Sequence, residues 1–145
     1  PDLTADHAYV DAMALWFVLK PWDWDVMVTE NMFGDILSDL GAGLMGGLGM
    51  APSADIGDDH AVFQPCHGSA PDIAGQGIAN PFAMILSAGM MMDWLGRRHD
   101  APQMIEDARR VQSAVDACLA AGETTGDLGG TLDTRGAAAA VIARL

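Results

Sequence analysis

The spacing of apolar and turn-forming residues along the chain predicts five helices and two short strands. The helices are expected over residues 6–19, from about residue 34, and over residues 81–95, 102–121 and 136–145, and the strands near Val26 and over residues 61–63. Pro21 ends the first helix, because proline cannot continue the hydrogen-bond ladder of a helix. The glycine-rich stretch from Gly41 to Gly49 follows the second helix and predicts a crossing between two domains.

The first helix carries an apolar run from Ala8 to Leu19 that only Asp11 interrupts. A helix that is apolar on nearly every side is normally buried by neighbouring elements, and an unpaired carboxylate is costly to bury. Asp11 is therefore expected to have a cationic partner or a metal ion. The alternative, which the sequence leaves open, is that Asp11 lies at the helix edge and reaches water.

The second helix brings two carboxylates onto one face, because Asp35 and Asp39 are four residues apart. Like charges at this spacing destabilise a helix by about 0.2 to 0.5 kcal/mol, and a divalent cation between them would offset that repulsion. Oxygen ligands without a nearby cysteine or histidine pair favour Mg2+ or Mn2+ over zinc. The alternative is that both are surface residues, with Asp35 offsetting the helix dipole near the N-terminus.

Residues 67–81 form a long run of small and turn-forming residues, which predicts an ordered loop that ends where Pro81 begins a helix. Its glycines would allow a ligand to approach the backbone closely. The Asp72 carboxylate could accept hydrogen bonds from both ribose hydroxyls of a nucleotide, and it would repel a 2'-phosphate, which favours NAD over NADP. The alternative is a surface loop in which Asp72 forms a turn and His67 faces solvent.

The composition is that of an ordinary packed domain, with 50% hydrophobic and 19% charged residues. A net charge of -13 disfavours binding to nucleic acid or to anionic membrane surfaces, whereas it favours the recruitment of divalent cations. No apolar run reaches the roughly 18 residues of a transmembrane helix, and no signal peptide opens the chain.

Two cysteines, Cys66 and Cys118, are too few for a disulfide framework and are not spaced as metal ligands. This accords with a reducing cytoplasm, which is the expected location of the protein. Cys66 could be a small core residue or an exposed thiol, and we expect it to pack in the core, because free cysteine usually behaves as a small hydrophobic residue.

Six short segments carry a resemblance to one enzyme family. They are His7–Asp11, Val28–Asn31, Gly34–Asp39, Gly49–Ala54, Pro65–His67 and Thr125–Gly130. With them the chain resembles the C-terminal part of the metal-dependent β-decarboxylating dehydrogenases, the isocitrate and 3-isopropylmalate dehydrogenase family, and its loop is most like that of the 3-isopropylmalate dehydrogenase-like members.

The resemblance implies an α/β protein that has only the C-terminal portion of the isopropylmalate dehydrogenase-like fold. Residues 1–45 would be part of the dimerising and metal-binding domain. Residues 46–145 would be the C-terminal part of the large dinucleotide-binding α/β domain.

The resemblance also implies which residues form the sites. Asp35 and Asp39 would bind Mg2+ or Mn2+ within one subunit, and Asp11 would reach the metal site of the neighbouring subunit in a homodimer. The loop would hold the adenosine half of NAD, with His67 and Asn80 near adenine and Asp72 on the ribose. The cofactor-binding residues implied in this way are His67, Gly68, Ser69, Ala70, Asp72, Ile73 and Asn80. NADP-dependent relatives have a Lys-Tyr pair in place of Asp72-Ile73, so the resemblance too favours NAD.

No catalytic residue is expected within this chain. Members of the family use a lysine and a tyrosine for proton transfer, and arginines for the substrate carboxylates, all upstream of the matched region. The only lysine and tyrosine here, Lys20 and Tyr9, are not at matching positions, and we interpret them as a helix C-terminal cation and an interface residue. Gln64 and Cys66 also depart from the Glu and Val common in relatives. The chain alone is therefore expected to be inactive and to be a piece of a longer enzyme.

The resemblance implies that the full enzyme oxidises the C2 hydroxyl of a D-2-hydroxy diacid such as 3-isopropylmalate, passes hydride to NAD+, and releases the β-carboxylate. Homoisocitrate, tartrate and D-malate are alternative substrates. Two other classes of function stay open, namely a non-catalytic metal- and nucleotide-binding subunit, and a purely structural dimerisation fragment.

Overall fold

The computed structural model describes residues 3–145, which form two compact units. One unit runs to Leu44 and the other extends from Met45 to Leu145. The predicted first domain, residues 1–45, includes residues 1 and 2, which lie outside the described residues. The assignment of the two parts to a dimerising and a dinucleotide-binding domain stays a prediction.

The first unit contains two helices, α1 (Val10–Leu19) and α2 (Asn31–Leu44), with a short 3-10 turn at Pro21–Asp23 after α1. Helix α1 begins four residues later than predicted and ends, as predicted, before Pro21. Helix α2 begins earlier than predicted and continues through the first glycines of the glycine-rich stretch. A Cβ atom at Gly41 would lie 2.9 Å from Cε1 of Phe17, so glycine lets α1 and α2 pack closely here.

Two predictions for the first unit are wrong. The strand expected near Val26 is not formed, and residues 24–30 have no regular structure, with Val26 and Val28 exposed at 83% and 95%. Helix α1 is not covered on all sides, because Met13 is its one buried residue. Its apolar run predicted burial, but nothing in residues 3–145 covers its outer face.

The second unit packs a β-hairpin and three helices. The hairpin pairs β1 (Pro52–Ile56) with β2 (Ala61–Pro65) in antiparallel register, from Pro52 opposite Pro65 to Ile56 opposite Ala61. The helices are α3 (Phe82–Arg98), α4 (Pro102–Ala120) and α5 (Thr134–Ile142). Strand β1 was not predicted, because it contains proline and aspartate, which are uncommon in strands. The three helices lie at their predicted places, with α5 ending three residues early.

One continuous core holds the second unit together. Its buried members come from all three helices and from the turn before β1: Met50, Phe82, Leu86, Ala114, Val115, Cys118, Ala137 and Val141. Helices α3 and α4 pack closely near the turn that joins them, since a Cβ atom at Gly96 would lie 2.7 Å from Cγ1 of Ile105. Asp133 caps α5 by accepting a 2.6 Å hydrogen bond from the Gly136 amide.

The two cysteines differ in environment, and both are free. Cys118 is buried in the core, whereas Cys66 is exposed, so the prediction that Cys66 packs in the core is wrong. Its Sγ atom lies 3.8 Å from the Pro52 carbonyl oxygen, at the edge of the hairpin.

Within residues 3–145, every helix is too short or too polar to cross a membrane.

Candidate metal and cofactor sites

The predicted metal ligands Asp35 and Asp39 lie on an exposed face of α2, one turn apart. The residues that α2 buries are Leu37 and Ala42, so the carboxylates are left to solvent. Oδ2 of Asp35 accepts a hydrogen bond of 2.9 Å from Nδ2 of Asn31, four residues earlier. The donor set consists of carboxylate oxygens, which suits Mg2+ or Mn2+.

Asp11 lies in the first turn of α1 and is exposed. Its carboxylate accepts a hydrogen bond of 2.8 Å from the Ala12 amide, and no lysine, arginine or histidine of residues 3–145 pairs with it. The described chain therefore supplies no cationic partner for Asp11. The residue is exposed to water, which is the alternative that the sequence left open. Its role in the metal site of a neighbouring subunit stays a prediction.

Residues 3–145 hold no group of three or more acidic, histidine or cysteine side chains that could bind a metal ion. The two aspartates of α2 would fill only two of the roughly six coordination positions of Mg2+. A site built on them would take its other ligands from water, substrate or a second protein chain.

The predicted cofactor loop is ordered by its own backbone. A 3-10 turn at Pro71–Ile73 follows Ala70, which has a positive φ of 42°. Gly75 and Gly77 also have positive φ, at 77° and 69°, a region that glycine enters without steric cost. Nε2 of Gln76 donates to the carbonyl oxygen of Asp72 at 2.8 Å. The loop is thus a defined structure and the prediction of an ordered loop is confirmed.

The residues predicted to bind the cofactor are accessible in this loop. Gly68, Ser69, Ala70 and Asp72 are exposed, and His67, Ile73 and Asn80 are half-buried. Nδ1 of His67 lies 2.9 Å from the Gly68 carbonyl oxygen. The Asp72 carboxylate has no hydrogen-bond or ion-pair partner within the described chain, so both of its oxygens can accept hydrogen bonds from a ligand.

The end of the loop is tied to a second segment, residues 124–134, that contains no predicted site residue. The amide of Thr134 donates to the Gly77 carbonyl oxygen at 2.8 Å, and its hydroxyl donates to the Ala79 carbonyl oxygen at 2.5 Å. Nδ2 of Asn80 donates to Oδ2 of Asp127 at 3.0 Å. Because Asn80 and Asp127 are 47 positions apart in the sequence, the periodic patterns of the sequence give no signal of this contact.

The shifted pKa values lie at other places in the second unit. The Arg97 side chain donates hydrogen bonds to Asp93 and lowers the pKa of that carboxyl. Arg144 donates to Glu123 at 2.8 Å and likewise lowers the pKa of Glu123. Burial raises the pKa of the Cys118 thiol. The Arg97–Asp93 and Arg144–Glu123 pairs stabilise charges at the helices of the second unit and include none of the predicted site residues.

An open groove of about 370 Å3 lies between the hairpin, α3 and α4. Its lining includes the apolar side chains of Phe63, Leu86 and Trp94 and the charged side chains of Asp93 and Arg109. None of the predicted metal- or cofactor-binding residues lines it.

The family model described as isocitrate/isopropylmalate dehydrogenase matches residues 1–141. A 3-isopropylmalate/3-methylmalate dehydrogenase of Methanocaldococcus jannaschii is 54% identical over 133 residues, which are 92% of this chain and 38% of that protein. An isocitrate/homoisocitrate dehydrogenase of Thermus thermophilus is 53% identical over all 145 residues, which are 41% of that protein. The chain thus spans less than half the length of these relatives.

Solved structures agree with the family match. An isocitrate dehydrogenase from Methylococcus capsulatus superposes with a TM-score of 0.83 at 46% identity, covering 93% of this chain and 39% of that one. The TT0538 protein from Thermus thermophilus superposes with a TM-score of 0.87 at 42% identity, covering 100% and 29%. The predicted fold class, α/β with a portion of the isopropylmalate dehydrogenase-like fold, is confirmed. The chain belongs to the isocitrate/isopropylmalate dehydrogenase family.

Proposed function

We propose that the complete protein is a metal-dependent dehydrogenase that oxidises the C2 hydroxyl of a D-2-hydroxy diacid of the 3-isopropylmalate type and releases the β-carboxylate as CO2. The observation that carries the proposal is the pair of carboxylates, Asp35 and Asp39, on an exposed face of α2 in a chain of this family. Two negative charges one turn apart destabilise an isolated helix, so their placement favours a cation-binding role.

Asp35 and Asp39 would hold Mg2+ or Mn2+ through carboxylate oxygens, with Asn31 fixing the direction of the Asp35 carboxylate by its 2.9 Å hydrogen bond. The bound cation would supply Lewis acidity at the C2 oxygen of the substrate. The protein's part is to place two negative charges on one turn of a helix whose other side is anchored by Leu37 and Ala42.

NAD+ is the proposed hydride acceptor, and its adenosine half is proposed to lie on the loop of residues 67–80. The unpartnered oxygens of Asp72 support ribose recognition, because two vicinal hydroxyls need acceptors. The same carboxylate would repel a 2'-phosphate, which supports NAD over NADP. Gly75 and Gly77 have no Cβ atom, so they can hold the positive φ angles of the loop and also let a ligand approach the backbone closely.

A homodimer is proposed, with the first unit as its interface and Asp11 reaching the neighbouring subunit's metal. Support comes from α1, where Leu15, Val18 and Leu19 are exposed at 56%, 52% and 61%. Apolar side chains grouped on one helix in this way are typical of an interaction surface. Residues 1–45 would then belong to the dimerising domain, and residues 46–145 to the dinucleotide-binding domain. A cytoplasmic location is proposed as well, since Cys66 and Cys118 are both free.

The proton-transfer groups are proposed to come from outside these 145 residues. Nζ of Lys20 lies 3.2 Å from Asp23 and over the Trp16 ring, so it has structural partners at the end of α1. Tyr9 is 85% exposed, which fits an interface residue. The chain alone would therefore bind ligands without turnover.

The test is a substrate panel on the complete gene product that contains these residues. We expect NADH formation with Mn2+ and 3-isopropylmalate, and we expect NADP+ to be a poor substitute. Homoisocitrate, isocitrate, D-malate and tartrate form the rest of the panel, and the T. thermophilus relative makes homoisocitrate the second candidate. If none is oxidised, while Mn2+ and NAD+ still bind, the protein is a binding subunit and the enzymatic proposal is wrong.

A further inference from the structure

The Asn80 side chain is held on both sides of its amide group. Its Oδ1 atom accepts a hydrogen bond of 2.9 Å from the Phe82 amide at the start of α3, and its Nδ2 atom donates to Oδ2 of Asp127 at 3.0 Å. A flipped amide would place oxygen against the carboxylate and NH2 against an N–H donor, which is unfavourable on both sides. The contacts therefore fix a single orientation of the Asn80 amide.

Asp127 is itself held in place. Its Oδ1 atom accepts a hydrogen bond of 2.5 Å from the hydroxyl of Thr125, a fully buried residue. Gly49 leaves room for the contact, because a Cβ atom there would lie 2.8 Å from Cβ of Asn80 and 3.0 Å from Oδ2 of Asp127. One carboxylate thus joins a buried threonine to the last residue of the cofactor loop.

The backbone of the loop has a separate support. Thr134 donates to the carbonyl oxygens of Gly77 and Ala79, and neither bond involves Asp127. Removal of the Asp127 carboxylate should therefore leave the loop backbone in place while it frees the Asn80 amide on the Nδ2 side.

We propose that Asp127 is a positioning residue of the nucleotide site, which sets the direction of the Asn80 amide so that its second N–H can donate to a ring nitrogen of adenine. The proposal rests on the proposed function, in which the adenosine half of NAD lies on the loop that ends at Asn80. An NH2 group has two hydrogens, and Asp127 accepts one of them, so the other is left with a defined direction. An amide oriented in advance binds a ligand without losing rotamer freedom at that moment.

The test compares adenine-containing and adenine-free ligands on the complete gene product. The probes are ADP-ribose and nicotinamide mononucleotide, measured by calorimetry, together with KM for NAD+ and kcat. For Asp127→Ala we expect a Kd for ADP-ribose about five-fold higher, the size expected for one net hydrogen bond, with nicotinamide mononucleotide binding and kcat unchanged. Asp127→Asn should stay within about two-fold of the unmodified protein, because an amide oxygen can still accept from Asn80 while the Thr125 hydroxyl rotates.

A matched control removes the same type of hydrogen bond elsewhere. Asp116 accepts from Nε2 of Gln112 at 2.9 Å within α4, and Asp116→Ala should leave both Kd values unchanged. The double variant Asn80→Ala with Asp127→Ala should bind ADP-ribose no more weakly than Asn80→Ala alone, because Asp127 acts through Asn80.

The outcomes separate the two proposals. If the unmodified protein binds ADP-ribose and Asp127→Ala binds it equally well, or loses affinity for both probes equally, Asp127 has no positioning role and NAD binding still stands. If the unmodified protein does not bind ADP-ribose, the cofactor proposal and this inference are both wrong. If Asp127→Ala does not fold, Thr125→Val decides: a higher Kd for ADP-ribose alone supports the inference, and an unchanged Kd contradicts it.

Discussion

The two units of the chain differ in how far they bury their apolar side chains. The second unit encloses a continuous core in which Phe82, Val115 and Cys118 are fully buried. Among the described residues of the first unit, those that are buried are Met13, Leu37 and Ala42, although α1 is the most apolar of the five α-helices. The second unit therefore buries its apolar residues against one another. The first unit leaves apolar side chains of α1 exposed, and these could be buried only against another surface.

This difference follows from the amount of apolar surface that each unit removes from water. Each fully buried aliphatic side chain contributes roughly 1.5 to 3 kcal/mol, and an exposed one contributes little. We expect the second unit to carry most of the stability of the chain, and the first to gain its stability from association. The predictions below test that contrast in order of decreasing effect.

The largest effect is expected from a matched pair of leucine truncations, one in each unit. Leu86→Ala opens a cavity in the core of the second unit, where Leu86 is 6% exposed, and should lower the free energy of unfolding by about 2 to 5 kcal/mol. Leu15→Ala removes a side chain that is 56% exposed and should cost less than about 0.5 kcal/mol in the dissociated chain. Urea unfolding of both variants measures the difference, and equal losses would contradict the contrast.

The next effect concerns association through α1. Val18→Lys places a charge among the exposed apolar residues of α1 and should weaken the proposed homodimer about 30-fold, the size of an interface hot spot. Sedimentation equilibrium of the complete gene product measures this. Ile142→Lys is the control in the second unit, where Ile142 is 70% exposed, and it should leave the dimer intact. A dimer that survives Val18→Lys would mean that α1 is not the interface.

A smaller effect is expected at the proposed metal site of the first unit. Asp35→Asn keeps the shape of the side chain but removes one of the two charges, and it should lower Mn2+ affinity more than about ten-fold. Asp25→Asn, an exposed aspartate that precedes α2, is the control and should have no effect. Isothermal titration with Mn2+ measures both. Unchanged affinity in Asp35→Asn would make the two aspartates ordinary surface residues and would favour a purely structural role for the unit.

The elements of the second unit were predicted better from the sequence than those of the first, because the second unit buries its apolar residues within the described chain and the first does not. Helices α3 and α4 were correctly placed, because Pro81 and Pro102 mark their starts and their cores lie within the described chain. The burial of α1 was wrongly predicted, because a periodic pattern reports that a partner is needed but not where it is. Strand β1 was missed, since its pairing with β2 overrides the weak strand preference of Pro52 and Asp55.

For the candidate sites, too, the sequence predicts local spacing but not contacts between distant residues. The spacing of Asp35 and Asp39 is local, so the sequence could place both on one face of a helix, and it does so correctly. The contact of Asn80 with Asp127 joins residues 47 positions apart, and only the folded chain reveals it. Ligand roles for Asp11, Asp72 and the rest of the loop stay predictions, because they depend on partners other than residues 3–145.

The smallest effect concerns the ion pair of Glu123 and Arg144, which stabilises the second unit in addition to its apolar core. Arg144 lowers the pKa of Glu123 through a hydrogen bond, so Glu123 stabilises the fold above its unfolded pKa of about 4.5, and that contribution disappears as the pH falls through the lower folded pKa. Glu123→Gln should lower the thermal midpoint slightly at pH 7 and by less at pH 3. Glu106→Gln breaks the exposed pair with Arg109 and should not change this pH dependence. If Glu123→Gln has the same effect at both pH values, the ion pair is not its cause, and the core alone holds α5 in place.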